Sequence, residues 1–194
     1  MRYKVIYADP PWPMIGGVGK NADGSLKPSN QQFAGINIAK HPYESMSIKK
    51  MKTIQIPTTD ASALFMWTVS MFLPQALEVG NAWGFKYSTI AFIWIKQTST
   101  GKLALGKGTY TLPSAEIFLL FTKGKILKAW RGHTARQVVF AERKGHSVKP
   151  ECIRDTITTL LPGPRLELFA RTKTPGWDVF GDQVKGSIKL RSVK

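Results

Sequence analysis

The sequence predicts an α/β domain: a mostly parallel sheet of about seven strands with helices on both faces. Three observations predict it. The strand-length apolar stretches are continuous runs rather than strict alternations, as in a sheet covered on both sides. Helical patterns punctuated by proline and glycine fall between them. The 194 residues, 43% hydrophobic and 11% aromatic, suit a single core, and no repeat or shift of composition divides them.

Residues 3–8 are a β-branched and aromatic run that stops at Pro10-Pro11, so a strand ends at Asp9. Residues 16–40 are rich in Gly, Asn, Ser and Lys without a period and predict a long loop; their glycines lack the strand-to-helix context of a dinucleotide fingerprint. Ser47 is placed to cap a short helix over 48–51. ASALFMWTV (61–69) and TIAFIWIK (89–96) read as buried strands, separated by a helix that starts at Pro74 and ends at Trp83-Gly84. A polar, Gly- and Lys-rich loop over 98–113 leads to strands at 115–122 and 137–141. Pro150 opens a helix that puts Ile153, Ile157, Leu160 and Leu161 on one face, and Pro162-Gly163-Pro164 stops it. Residues 165–170 and 177–180 are the last strands. Residues 1–185 form the expected catalytic domain, and 186–194 a basic C-terminal tail.

Charge narrows the partner. Against 12 acidic residues stand 28 Lys and Arg, a net +16. Lys123, Lys125, Lys128, Arg131, Arg136, Arg143, Lys144 and Lys149 cluster in one stretch whose only acid is Glu142. A polyanion is the economical partner, bound with steep salt dependence. An anionic membrane fits less well, because no strongly amphipathic basic helix accompanies the charge. No apolar run approaches the roughly 20 residues that span a bilayer, and no signal-peptide pattern precedes the first strand, so the expected compartment is the cytoplasm. The one cysteine, Cys152, forms no internal disulfide and is expected to be a small buried residue of an amphipathic helix. His41, His133 and His146 have no metal-ligand spacing, and no metal is expected.

The residues with chemistry to explain are Asp9-Pro10-Pro11-Trp12. Ligand sites in open α/β sheets form outside the carboxyl ends of strands, and this tetrad sits at such an end. An exocyclic adenine nitrogen is a poor nucleophile because its lone pair is delocalised into the ring. A carboxylate and a backbone carbonyl that accept its two N–H bonds localise that pair. Asp9 supplies the first and Pro10 the second. Pro10 and Pro11 stiffen the turn and bring no competing N–H. Trp12 offers a face on which an extruded base stacks. A strand-ending acid in a proline turn, with Trp12 as core, is the plainer reading.

The tetrad and the segments around it resemble the MT-A70 family of S-adenosylmethionine-dependent adenine-N6 methyltransferases. The resemblance runs through VIYADPPW (5–12), HPYESMS (41–47), ALFMWTV (63–69), WGFKY (83–87), AFIWIK (91–96), AEIFLLFTKGK (115–125), HSVKPE (146–151) and RLELFARTKTPGWDVFGDQ (165–183). It implies a Rossmann-like class I methyltransferase domain, S-adenosylmethionine as methyl donor and an adenine of nucleic acid as target. Asp9 and Pro10 would hold the target amino group, and Tyr43 and Glu116 would line the adenine pocket. Tyr43 as a structural aromatic and Glu116 as the partner of a lysine stay open. Lys149 would meet the donor's carboxylate, with Ser147 beside it, in front of a helix N-terminus suited to anions. Arg171, Asp182 and Gln183 would contact the donor's ribose and adenine, and Asp9 and Leu168 would also belong to the donor site. Arg171 as a surface cation and Gln183 as a loop residue are the bland alternatives.

Two departures accompany the match. Asp182 stands where most of the family carries an asparagine-like residue; a carboxylate also accepts from ribose hydroxyls. The chain begins only a few residues before its first strand, whereas relatives with an upstream segment use it against the donor's adenine. A wall that is open there or completed by another segment, and weak donor binding, are the expectation. DNA is favoured over RNA because no added RNA-binding module is visible, as in a bacterial or phage modification enzyme. The loops 13–42 and 97–114 and the basic 123–149 stretch would clamp the nucleic-acid backbone, aided by a second copy or a partner subunit. RNA methylation, or a catalytically silent nucleic-acid-binding subunit of the same fold, are the alternatives.

Overall fold

The computed structural model describes residues 1–13, 45–106, 108, 110–145 and 148–192. Seven strands form one sheet: β1 (Tyr3–Ala8), β3 (Thr58–Thr68), β4 (Lys86–Gln97), β5 (Ala115–Lys123), β6 (Val138–Glu142), β7 (Arg165–Leu168) and β8 (Asp178–Phe180), in the order β6-β4-β5-β3-β1-β7-β8. Every pairing is parallel except those on either side of β5, which runs against both β3 and β4. The expectation of a mostly parallel α/β sheet holds.

The described helices are fewer than a sheet doubly covered with helices implies. They are α1 (Ile48–Lys52), α2 (Leu73–Ala82) and α3 (Glu151–Leu160), with short 3-10 turns at Ser70–Phe72 and Ile126–Ala129. Strand alternation sorts the core into two clusters. Ile6, Ala8, Leu64, Met66, Leu119 and Phe121 join Met51 of α1 and Ala76 and Val79 of α2. Val5, Tyr7, Phe65, Trp67 and Phe118 join Ile153 and Ile157 of α3.

Local chemistry accounts for the helix ends. The Ser47 hydroxyl accepts from the Lys50 N–H and caps α1. Pro74 lies in the first turn of α2, and Gly84 follows its end at φ +80°, a left-handed position suited to glycine. Cys152 is exposed, contrary to expectation. The buried face of α3 is Ile153, Ile157 and Leu160, at i, i+4 and i+7, and the residue before Ile153 is rotated about 100° from it.

Two short strands had no sequence signal. β2 (Ile54–Gln55) pairs antiparallel with β9 (Arg191–Ser192). Before β9, the Ser187 N–H donates to the Val179 carbonyl, and Ile188 and Leu190 pack on the first cluster.

Phe118 is the hub of the second cluster. It is buried, its ring stacked 4.3 Å from Trp67 and edge-on to Tyr7 at 5.0 Å, with Phe65 at 5.8 Å. Phe118→Ala leaves a cavity that three rigid rings cannot refill. It should lower the unfolding free energy by about 3–5 kcal/mol in chemical denaturation, and a loss under about 1 kcal/mol would disprove the hub.

Candidate active site

The sheet has a topological switch point. From β1 the chain proceeds to β3 on one side, while from β7 it proceeds to β8 on the other. β1 and β7 are parallel neighbours, so a crevice opens beyond their carboxyl ends, the general place for ligands in such sheets. Asp9 leaves β1 there, its N–H still donating to the Leu168 carbonyl of β7 at 3.4 Å. The reversal of β5 brings its second residue, Glu116, to the same edge, opposite Trp94 near the carboxyl end of β4. Lys149 arrives just before Pro150, the N-cap of α3.

These residues form an alternating chain of charge. The Lys149 ammonium lies 2.9 Å from Asp9 and 3.3 Å from Glu116, and Lys96 lies 2.6 Å from the other Glu116 oxygen. All four side chains are at most 20% exposed. Burial pushes the Asp9 carboxyl up, and Lys149 offsets this only in part. Burial also works to raise Glu116, but Lys149 and Lys96 outweigh it and hold that carboxyl below its ordinary value. Desolvation would depress Lys149; Asp9 and Glu116 outweigh it and raise the ammonium. The charge of Arg171 also acts on Asp9, which places it at the same crevice.

The tetrad is held at every residue. The Trp12 N–H donates to the Pro10 carbonyl at 2.8 Å, and the Pro11 carbonyl accepts from Met46 N–H at 2.9 Å. A carbonyl has two lone pairs, so Pro10 keeps one for a ligand. The Trp12 indole N–H donates to the Trp67 carbonyl, and its ring stacks on Phe72 at 5.6 Å. One indole face is therefore taken by Phe72.

On the β7 side, Leu168 is buried and pairs with Ala8 and Phe180. The next residue, Phe169, has φ +61°, a left-handed backbone uncommon outside glycine, and turns the chain sharply toward Arg171. The Ala170 N–H donates to Phe180, and a Cβ on Gly181 would lie 2.0 Å from the Ala170 carbonyl. Only glycine lets the two exits run this close, with Asp182 and Gln183 following. Tyr43 and Ser147 lie outside the described residues.

A buried polar group beneath the crevice had not been singled out. Glu167 of β7 pairs with Arg154 of α3 at 3.3 Å, and Arg154 sits over the Tyr7 ring, whose hydroxyl accepts from Trp67. Burial raises Glu167 to about 6. Its Oε2, and the Nε of Arg154, are buried without a partner. The available signal was the charge inside the apolar RLELFA run.

The basic stretch is divided by the sheet. Lys123 ends β5 opposite Ser62, near the amino end of β3, and donates to Thr58; Lys125 and Lys128 follow it. The Arg131 N–H donates to the Leu160 carbonyl at the far end of α3. Arg136 precedes the start of β6. Those five leave the sheet at the edge opposite Asp9. Arg143 and Lys144 follow the carboxyl end of β6, on the same edge as Asp9, and are exposed. A stretch contiguous in sequence thus crosses the sheet and does not make one surface at the site. Among the described residues, no three His, Cys, Asp or Glu side chains converge on a metal-sized site, and no helix is long and apolar enough to cross a membrane.

Comparison with known proteins meets this geometry. A type II methyltransferase of Mycoplasma sp, M.MunI, is 35% identical over 189 residues, covering 94% of this chain and 78% of that protein. The N6-methyladenosine RNA methyltransferase MTA1 of Pyricularia oryzae is 25% identical over 185 residues, covering 94% of this chain and 47% of that protein. The MT-A70 family profile matches residues 3–183, from the first residue of β1 to Gln183 beyond β8. The chain belongs to the MT-A70 family, whose activity is methyl transfer to adenine N6.

Proposed function

We propose that this chain transfers the methyl group of S-adenosylmethionine to N6 of an adenine in DNA. The observation that carries the reading is Asp9 at the switch point, shielded from water, with Lys149 at 2.9 Å and the Pro10 carbonyl one residue on. The residues present fit the donor. Lys149 supplies a cation for its carboxylate, Arg171, Asp182 and Gln183 supply donors and acceptors for its ribose and adenine, and the close Gly181–Ala170 approach keeps that wall clear of side chains. The bound donor supplies a methyl group already activated on a sulfonium.

What the chain adds is placement. Asp9 accepts one N6–H bond and the Pro10 carbonyl the other, so the lone pair is directed outward for attack. Trp12, fixed by Phe72 and the Trp67 carbonyl, borders the base. As the N–C bond forms and the S–C bond breaks, N6 becomes acidic. An Asp9 Oδ with a raised pKa is the acceptor at hand for the departing proton. Lys149 works against the effect of burial on the Asp9 carboxylate.

DNA is favoured because the more similar relative, matched over most of its own length, is a type II methyltransferase. The net charge of +16 suits the polymer. The test is methylation-sensitive sequencing of DNA from cells expressing the chain or its Asp9→Ala variant. N6-methyladenine at a defined sequence, lost in the variant, is the expected result. Label transferred from donor to RNA and none to DNA would favour the second reading, which the RNA methyltransferase relative supports.

A further inference from the structure

The link from β4 to β5 is unlike a solvated loop. Gln97 bridges Leu103 in antiparallel fashion, the Thr98 N–H donates to Lys102, and the Ala104 N–H donates back to Lys96 at 2.8 Å. This first fold buries Ala104. Beyond it, the Gly106 N–H donates to Pro113 at 2.8 Å, and a Cβ on Gly108 would lie 2.1 Å from the Thr111 carbonyl, so the crown closes on itself. The Lys96 N–H then donates to Ser114 and ties the returning strand to the outgoing one. The result is a hydrogen-bonded finger whose two feet carry Lys96 and Glu116, members of the charge chain around Asp9.

This finger holds its large apolar side chains outward. Leu103 and Leu105 are 54% and 55% exposed, Leu112 59% and Tyr110 97%. Leu103, bridged to Gln97, lies low on the finger, whereas Tyr110 and Leu112 lie toward its crown and form an apolar tip left uncovered among the described residues. Its flank is basic: Lys102, Arg143 and Lys144 are exposed, and the Arg143 N–H donates to the Gln97 carbonyl at the finger's foot. An apolar tip with cationic shoulders, beside a site that takes a single base, fits a base stack bounded by phosphates.

An adenine in a duplex presents N6 to its partner base, so it must leave the stack to reach Asp9. Proteins that unstack DNA insert apolar side chains between the steps. We infer that the described residues of this finger, 98–106, 108 and 110–114, act as a wedge: Tyr110 enters the duplex in the place of the departing adenine, and Leu112 packs beside it. The inference rests on the DNA reading above and adds how a paired substrate is opened.

The test uses the full chain and two duplex oligonucleotides that carry the mapped target adenine, one with thymine opposite and one with an abasic site opposite. Tyr110→Ala should lose about tenfold or more of kcat/KM on the paired duplex and stay within about twofold of the parent on the abasic one. Tyr110→Trp should retain activity on both. With 2-aminopurine at the target, the fluorescence rise on binding should shrink for Tyr110→Ala on the paired duplex alone. Equal losses on the two duplexes, or none, overturn the wedge while leaving the DNA reading intact. A change in oligomeric state on Tyr110→Ala without that substrate difference assigns the tip to a protein contact and also overturns it. A parent chain that methylates neither duplex overturns the DNA reading, and the wedge with it.

Discussion

Asp9→Asn should abolish turnover while leaving the protein folded. The substitution keeps size and one acceptor but replaces the second oxygen with an amide that donates, facing the amino group it must hold. It also removes the acceptor for the N6 proton. Losing one preorganised electrostatic contact in a dry site lowers kcat by about 100- to 1,000-fold, and here two duties go together. A fall of about 1,000-fold or more is expected in transfer of labelled methyl to DNA. The pH dependence of stability should change as well. Because burial raises the Asp9 pKa in the fold, its stabilising contribution is fully present below the unfolded value and is lost as pH rises through the folded one. The unfolding free energy of Asp9→Asn should therefore fall less with rising pH across the acid range than that of the parent. Residual activity above about one tenth would show that Asp9 is not at the reacting centre.

Much of this was legible because apolar runs and turn residues are local facts. The strands around Phe65, Trp94 and Phe118 are continuous hydrophobic segments, and their helices carry Ser47, Pro74 and Gly84 where the ends require them. Direction is not local. Nothing in AEIFLLFTK says that β5 runs against its neighbours, yet that reversal brings Glu116 to Asp9 and sends Lys123 to the opposite edge. The same reversal is why a basic stretch contiguous in sequence does not form one face. Two-residue strands such as β2 and β9 fall below any periodicity, and Cys152 was misplaced by a single step around α3.

The site was half legible. Asp9, Lys149 and Arg171 were recognisable as strand-end or helix-start residues, and Asp9 and Arg171 do meet Lys149's surroundings at the switch point. That Lys149 bridges two carboxylates joins residues 140 positions apart and follows only from strand order. Lys96 ends the AFIWIK strand, and a lysine at a strand end is indistinguishable from a solvated one until Glu116 is opposite it. Glu167 was visible as a charge within an apolar strand; its partner Arg154 sits on the side of α3 that the hydrophobic pattern assigns to solvent.

Lys149→Met isolates the electrostatic part of the site. In the parent, the ammonium offsets burial at both carboxyls and leaves Asp9 above, and Glu116 below, its ordinary value. Without it, Asp9 rises further and Glu116 keeps only Lys96. Two consequences follow, with opposite dependence on protonation. Asp9 must be ionised to accept from N6, so the acid limb of kcat/KM should move to higher pH, and Lys149→Arg, which keeps the charge, should return it toward the parent. Breaking a buried pair by removing one partner also destabilises, by about 3–5 kcal/mol where the remaining charge stays ionised. Glu116 in the parent has a depressed folded pKa, so its contribution is present above the unfolded value and is lost as pH falls through the folded one. The stability gap between parent and Lys149→Met should accordingly be largest near neutrality and narrow toward acid, where protonation relieves both carboxylates in the variant. A gap constant with pH, together with an unmoved acid limb, would mean that Lys149 acts only through packing.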